Sequence, residues 1–165
     1  MGIVGGAAGI ISLVVQFVRD RARPQLTILR SVFGNEPGVG WLEIRFEISN
    51  VGNFPTSITQ LSAWMMDGMN QVTGELERLR PNESDTLIRT GYRPEEPPPM
   101  TVSLPQRLRG HSSEIYTATF RMETVIQTGQ ETTCGLIIRH THAQVSAEAV
   151  THPQPIQRAV GRQGE

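Results

Sequence analysis

The sequence predicts an all-β domain, an antiparallel β-sandwich of seven or eight strands, preceded by a single N-terminal α-helix. Three observations predict it. Apolar and polar residues alternate strictly in Trp41–Asn50, which is the period of a strand with one buried face. Strand-like runs bounded by turn residues recur about every eight to twelve positions, without a long helical pattern between them. Finally, residues 2–18 carry no charged side chain, and arginines follow at once.

The uncharged N-terminal run predicts a transmembrane helix within residues 1–24. Its seventeen residues would span about 26 Å as a helix, close to the thickness of a bilayer's hydrocarbon layer. Arg19, Arg21 and Arg23 lie only on its C-terminal side, where they would anchor the helix at the membrane interface. Positive charge favours the cytoplasmic side. We therefore expect a single-pass protein of the cytoplasmic membrane, with its N-terminus outside and its β domain in the cytoplasm.

One face of this predicted helix carries small and polar residues at spacings of three and four. The stripe consists of Gly2, Gly5, Gly9, Ser12 and Gln16. In a bilayer, small residues at this spacing let helices approach closely, so the stripe predicts a homo-oligomer. The alternative is that residues 2–18 form an apolar arm buried between the subunits of a viral (phage) or other large assembly. In that case the protein is a structural or decoration subunit of a virion.

The β domain is predicted to occupy residues 25–150, followed by a flexible polar tail over 151–165. In the clearest strand, the apolar members of Trp41–Asn50 face a core and its charged members face water. Around it, the strand candidates are Gln25–Phe33, Thr56–Met65, Asn70–Arg80, Met100–Leu104, Ser113–Arg121, Cys134–His140 and Gln144–Val150. The proline-rich stretch Arg80–Pro99 is predicted to be a long surface loop.

Two short motifs resemble elements of bacterial immunoglobulin-like domains. Phe46–Ile58 contains Asn-x-Gly-x-x-Pro between two strand candidates, and Leu104–Gly110 resembles the leucine-proline element that precedes a strand in those domains. The second motif has Arg109-Gly110 where proline-glycine is usual. The whole layout is similar to small bacterial proteins with an N-terminal apolar helix and one immunoglobulin-like β-sandwich. The resemblance implies that fold and says almost nothing about function, because the fold carries many unrelated binding roles.

Composition and motifs exclude several classes of function. A formal net charge of −1 does not suit a nucleic-acid-binding domain. The sequence contains neither a nucleophile elbow nor a glycine-rich phosphate loop, so we predict no catalytic residue, no cofactor and no small-molecule substrate. Cys134, His140 and His142 fall at even spacings on strand candidates, yet they lack the spacing of a zinc site, and no metal is predicted. His111 beside Ser112 does not form a nucleophile and base, because neighbours on a strand face opposite sides.

These observations predict a non-enzymatic, membrane-anchored binding or scaffolding module whose protein partner the sequence does not identify. Trp41 opens its strand on the polar side, so we expect it to be exposed and to serve as a partner-binding anchor. Trp64, also on a strand, is expected in the core. Beyond the unknown protein partner, contacts with a lipid bilayer or with assembly neighbours are expected through residues 2–18.

Overall fold

A computed structural model describes residues 21–81, 101–141 and 143–154, and these residues are all-β. They form eight strands: β1 (Pro24–Glu36), β2 (Val39–Asn50), β3 (Thr56–Asp67), β4 (Asn70–Pro81), β5 (Gln106–Leu108), β6 (Ser112–Met122), β7 (Thr132–His140) and β8 (Ala143–Pro153). The seven long strands coincide with predicted ones. The predicted strand Met100–Leu104 is wrong: residues 101–104 form no strand, and the short β5 begins two residues after Leu104.

Seven of the strands close into a barrel, and β5 pairs with β3 on the outside. The order around the barrel is β4-β6-β2-β1-β8-β7-β3, and the β3–β4 hairpin joins the two ends. All pairings are antiparallel except β1–β8, where Val32 and Phe33 pair in parallel with His152 and Pro153. Closure leaves these seven strands without the long free edges that an open sheet exposes.

The immunoglobulin-like sandwich predicted from the alternation is therefore wrong. A strand that packs one face on a core has the same period of two in a sandwich as in a barrel, so the pattern does not separate them. The difference lies in which strands pair. Here the tight turn at Asp67 and Gly68 turns β3 back onto β4, and β4 then pairs with β6 across the molecule.

Inward-facing side chains fill the barrel. In β2 every second residue is buried, and Leu42, Ile44, Phe46 and Ile48 are each 0 % exposed. The ring of Phe46 stacks on Tyr116 of β6 at a centroid distance of 5.8 Å. In a barrel of this size the inward-facing side chains fill the interior of the sheet.

Three β-bulges bend the wall. The register shifts at Leu29 in β1, at Thr59 in β3 and at Glu77 in β4, and one extra residue lies on the bulged strand in each case. Each extra residue reverses the inward and outward parity of the strand beyond it. After the bulge at Leu29, therefore, Arg30 and Val32 face outward while Ser31 and Phe33 face the core.

One end of the barrel is closed by the loop between β6 and β7. Ile126 inserts its side chain and is 3 % exposed. The Asn35 side chain holds this residue by two bonds: its Nδ2 donates to the Ile126 carbonyl at 2.7 Å, and its Oδ1 accepts from the Ile126 amide at 2.9 Å. Asp67 accepts from the amides of Gln127 and Thr128 at 2.9 and 2.7 Å.

The Asn-x-Gly-x-x-Pro motif forms the turn at the opposite end. Asn50 is 1 % exposed, and its Oδ1 accepts from the amides of Arg23 and Gly52 at 3.0 and 3.1 Å, while its Nδ2 donates to the Phe54 carbonyl at 2.8 Å. A Cβ at Gly52 would overlap the carbonyl of Arg21, so this close packing requires glycine. The motif thus ties the chain before β1 to the turn after β2.

The predicted single-pass membrane localisation is contradicted by the structure. The described part of the chain contains no helix, and so none with the length and apolar character needed to cross a membrane. The predicted helical segment ran to residue 24, but residues 21–23 are non-helical and Pro24 already begins β1. Residues 1–20 lie outside the described residues, and with them the stripe Gly2, Gly5, Gly9, Ser12 and Gln16 and the anchor Arg19.

Candidate binding surface

The outer face of β1, β2, β6 and β4 carries arginines that the strand register places side by side. Arg30 pairs with Arg45, Arg45 pairs with Thr117, and Thr117 pairs with Arg80. These positions face outward because their strand neighbours face the core. With neighbouring strands about 4.8 Å apart, three guanidinium groups cross four strands in one line. We call Arg30, Arg45 and Arg80 the arginine row.

The side chains of the arginine row make no hydrogen bond or ion pair within the described ranges. The Nε atoms of Arg45 and Arg80 are nevertheless shielded from solvent. Buried polar atoms are nearly always hydrogen-bonded, and leaving one unpaired is unfavourable by about 1–3 kcal/mol. Arg30 and Arg45 also repel each other, since like charges directly opposite on a sheet are destabilising.

Two depressions lie over this part of the wall. A small hollow of about 180 Å³ is lined by Arg30, Val32, Glu43, Arg45 and Thr117. Its two arginines and one glutamate leave it with a net positive charge. Arg80 is the register partner of Thr117 on the next strand and lines the neighbouring, larger groove.

A larger groove of about 500 Å³ continues from the hollow toward the β1–β2 turn. We call it the Trp41 groove. Its lining includes Trp41, Glu43, Glu77, Arg78, Arg80 and Arg121. Three carboxylates, Glu36 included, balance its three arginines, so the groove combines an aromatic face with charges of both signs. Tryptophan and arginine are the residues that most often dominate protein–protein interfaces.

Trp41 is half-buried because its indole lies against a glycine of the neighbouring strand. Its register partner is Gly34, and a Cβ built there would lie 2.6 Å from the indole. Trp64 repeats the arrangement on the other side of the barrel, where its indole covers Gly135 of β7. The prediction that Trp64 lies in the core is therefore wrong: it faces outward, and both indoles shield a stretch of bare backbone.

Arg21 and Arg23, predicted as membrane-interface anchors, lie in the chain that leads into β1. The amide of Arg23 donates to Asn50, and its carbonyl accepts from the amide of Val51 at 3.1 Å. This segment belongs to the end of the barrel that carries the Asn-x-Gly-x-x-Pro turn and lies apart from the arginine row.

Cys134 and His140 are both buried on β7, with exposed fractions of 0 and 7 %. Six residues of strand separate them, about 20 Å, so they cannot share one ion; His142 lies outside the described residues. No group of three His, Cys, Asp or Glu side chains in the described ranges is arranged to hold a metal. Burial raises the pKa of the Cys134 thiol, which keeps it protonated and unreactive.

Another depression, of about 630 Å³, lies between the β3–β4 hairpin and the loop after β6. Its carboxylate, Asp67, is already occupied by two backbone amides of that loop. His111 and Ser112 do not form a pair either: the His111 ring contacts the Asn53 side chain, and the Ser112 hydroxyl donates to the Arg109 carbonyl at 2.7 Å. These groups hold turns together.

The sequence showed that Arg45 faces outward, but it did not show the arginine row. The alternation in Trp41–Asn50 gives each residue its face, whereas the neighbours of Arg45 depend on pairing between strands far apart in the chain. Arg30 also lies one position after a bulge that no turn residue marks. The only available signal was the presence of arginines on three separate strand candidates.

The fold and this surface define a small closed β-barrel with an arginine-rich outer groove. The sequence matches no protein-family model, and no curated protein is significantly similar to it.

Proposed function

We propose that this protein is a non-enzymatic binding module that recognises a protein partner through the Trp41 groove. The observation that carries the proposal is the combination of a half-buried tryptophan with arginines that have no partner within the described chain. These arginines are already partly removed from water in the free protein. A complementary surface can therefore form hydrogen bonds with their guanidinium groups at little further desolvation cost.

The geometry supports a partner that presents both apolar and charged groups. The indole of Trp41 is fixed against Gly34, so binding would order little additional side-chain freedom. The alternating glutamates and arginines around it fix the orientation of a partner through complementary charge.

Site-specific photocrosslinking in the native cell tests this proposal. A photoreactive amino acid replaces Arg121, which is exposed and lines the groove, and in a control it replaces Thr133, which is exposed on β7 at the far side. We expect an adduct of defined mass from position 121 alone. Adducts of the same mass from both positions, or none from position 121, would contradict the proposal.

Two matched substitutions then separate recognition from folding. Trp41→Phe and Trp64→Phe each shorten an indole that covers a glycine, so their effects on stability should be similar. Only Trp41→Phe should reduce the crosslinked adduct at position 121. Equal reduction by both variants would assign the effect to stability and remove Trp41 from the interface.

A further inference from the structure

The arginine row combines two unfavourable features, and a bound anion would relieve the first of them. Arg30 and Arg45 place like charges on directly opposed positions, and the Nε donors of Arg45 and Arg80 are shielded without an acceptor. An anion seated over the row would neutralise the repulsion and accept hydrogen bonds from the terminal guanidinium nitrogens, whereas the shielded Nε atoms lie out of its reach. Among the described residues, no carboxylate does so.

The hollow suits a phosphate group better than a carboxylate. Two guanidinium groups line it, and Thr117 adds a hydroxyl between Arg45 and Arg80, its register partners on the two neighbouring strands. With Glu43 counted, these groups leave about two positive charges, which matches the −1.5 to −2 of a phosphomonoester at neutral pH. A tetrahedral group also offers acceptors to several guanidinium planes at once, whereas a carboxylate offers two oxygens in one plane.

Glu43 limits what binds beside the phosphate. It lines the hollow and the Trp41 groove together, so it repels a second anion and attracts a cationic or hydrogen-donating group. The arginine row and the Trp41 groove are also continuous. Arg80 pairs with Thr117 in the row, and the next outward-facing pair on the same two strands, Arg78 and Thr119, lines the groove. A chain that carries the phosphate would therefore extend into the groove.

We propose that the arginine row binds a phosphate group carried on a side chain of the partner polypeptide. This inference rests on the proposed function and assigns the chemistry of the partner. It makes the protein a reader of a phosphorylated segment, with the row holding the phosphate and the Trp41 groove holding the flanking residues.

Calorimetric titration of the full chain at constant ionic strength tests the proposal with three probes: inorganic phosphate, an Ala-phosphoserine-Ala peptide with blocked ends, and the same peptide without phosphate. We expect saturable binding of the first two, tighter for the phosphopeptide, and none of the third. Equal affinity for phosphate and phosphopeptide would assign the row to the free anion and overturn a partner-borne phosphate. Binding of the unphosphorylated peptide with equal affinity would also overturn it.

Charge-removing variants locate the site. Arg45→Gln and Arg80→Gln should each weaken phosphopeptide binding about tenfold or more, because each removes a charge-assisted hydrogen bond. Arg139→Gln, on the exposed face of β7, is the matched control and should leave binding unchanged. Equal weakening by all three variants, or by none, would refute the assignment to the row.

A second readout separates a ligand site from a structural role. Without phosphate, Arg45→Gln removes repulsion with Arg30, so its melting temperature should equal or exceed that of the wild type. A lower melting temperature without phosphate would show that the arginine supports the fold. The crosslinking at position 121 is then repeated in a cell extract treated with phosphatase before illumination. If the adduct still forms, the binding module stands and the phosphate proposal fails. If the phosphopeptide binds the row but no adduct forms in the cell, the phosphate site stands and the Trp41 groove is not the interface.

Discussion

Replacing Asn50 with alanine tests whether one buried amide holds the turn at the end of the barrel. Asn50 makes three bonds of 2.8–3.1 Å, and its 1 % exposure leaves no room for water to replace them. Each such bond contributes a net 0.5–1.5 kcal/mol, so Asn50→Ala should lower the free energy of unfolding by about 3 kcal/mol. A domain of this size has about 5–15 kcal/mol in total.

Equilibrium urea unfolding measures this loss. With a denaturant slope of about 1–3 kcal/mol per molar, the midpoint should fall by about 1–3 M at unchanged slope. Asn70→Ala, at an exposed position of the β3–β4 hairpin, should change stability by less than about 0.5 kcal/mol.

A loss below about 1 kcal/mol for Asn50→Ala would refute this account of the turn. It would show that water or a relaxed backbone satisfies the three groups after substitution. A loss for Asn70→Ala equal to that for Asn50→Ala would refute it as well, because the effect would then not depend on the buried bonds.

Three further predictions concern other parts of the barrel. The Gly52→Ala variant should lose most of the protein's stability in a urea melt, because the added Cβ overlaps the Arg21 carbonyl. Gly129→Ala, where the added carbon meets open space, should be near neutral, and equal effects of the two substitutions would contradict the close packing at Gly52. Phe46→Ala should cost about 3–5 kcal/mol in the same assay, and a loss under 1 kcal/mol would remove this ring from the core. Burial raises the pKa of Cys134 in the folded state, so the thiol ionises at lower pH in the unfolded chain. The contribution of Cys134 to stability should therefore be complete below about pH 8.5 and decline at higher pH. Cys134→Ala should make the free energy of unfolding depend less on pH in that range, and an unchanged dependence would contradict the burial.

Local structure could be predicted from this sequence because it depends on neighbouring residues. The alternation in Trp41–Asn50 located β2 and its buried face, and the Asn50–Pro55 motif located a turn that the structure shows to be held by the Asn50 amide. Both features arise within a dozen residues of chain.

Architecture and surface could not be predicted because they depend on pairing between distant strands. Nothing in the residues of β1 or β8 indicates that they run parallel, yet that pairing closes the barrel. The bulges at Leu29 and Glu77 carry neither glycine nor proline, although they decide which arginines face outward. The predicted homo-oligomer, for which the stripe in residues 2–18 was the evidence, stays a prediction.

The most direct test of the account is to follow the Nε–H signals of the arginines by NMR during a titration with the phosphopeptide. The barrel pairing brings Arg30, Arg45 and Arg80 together, and the shielded donors of Arg45 and Arg80 should give slowly exchanging signals. We predict that all three shift along one binding curve while Arg139 stays fixed. Independent curves for the three arginines, or equal shifts at Arg139, would contradict the claim that the arginine row is one binding site.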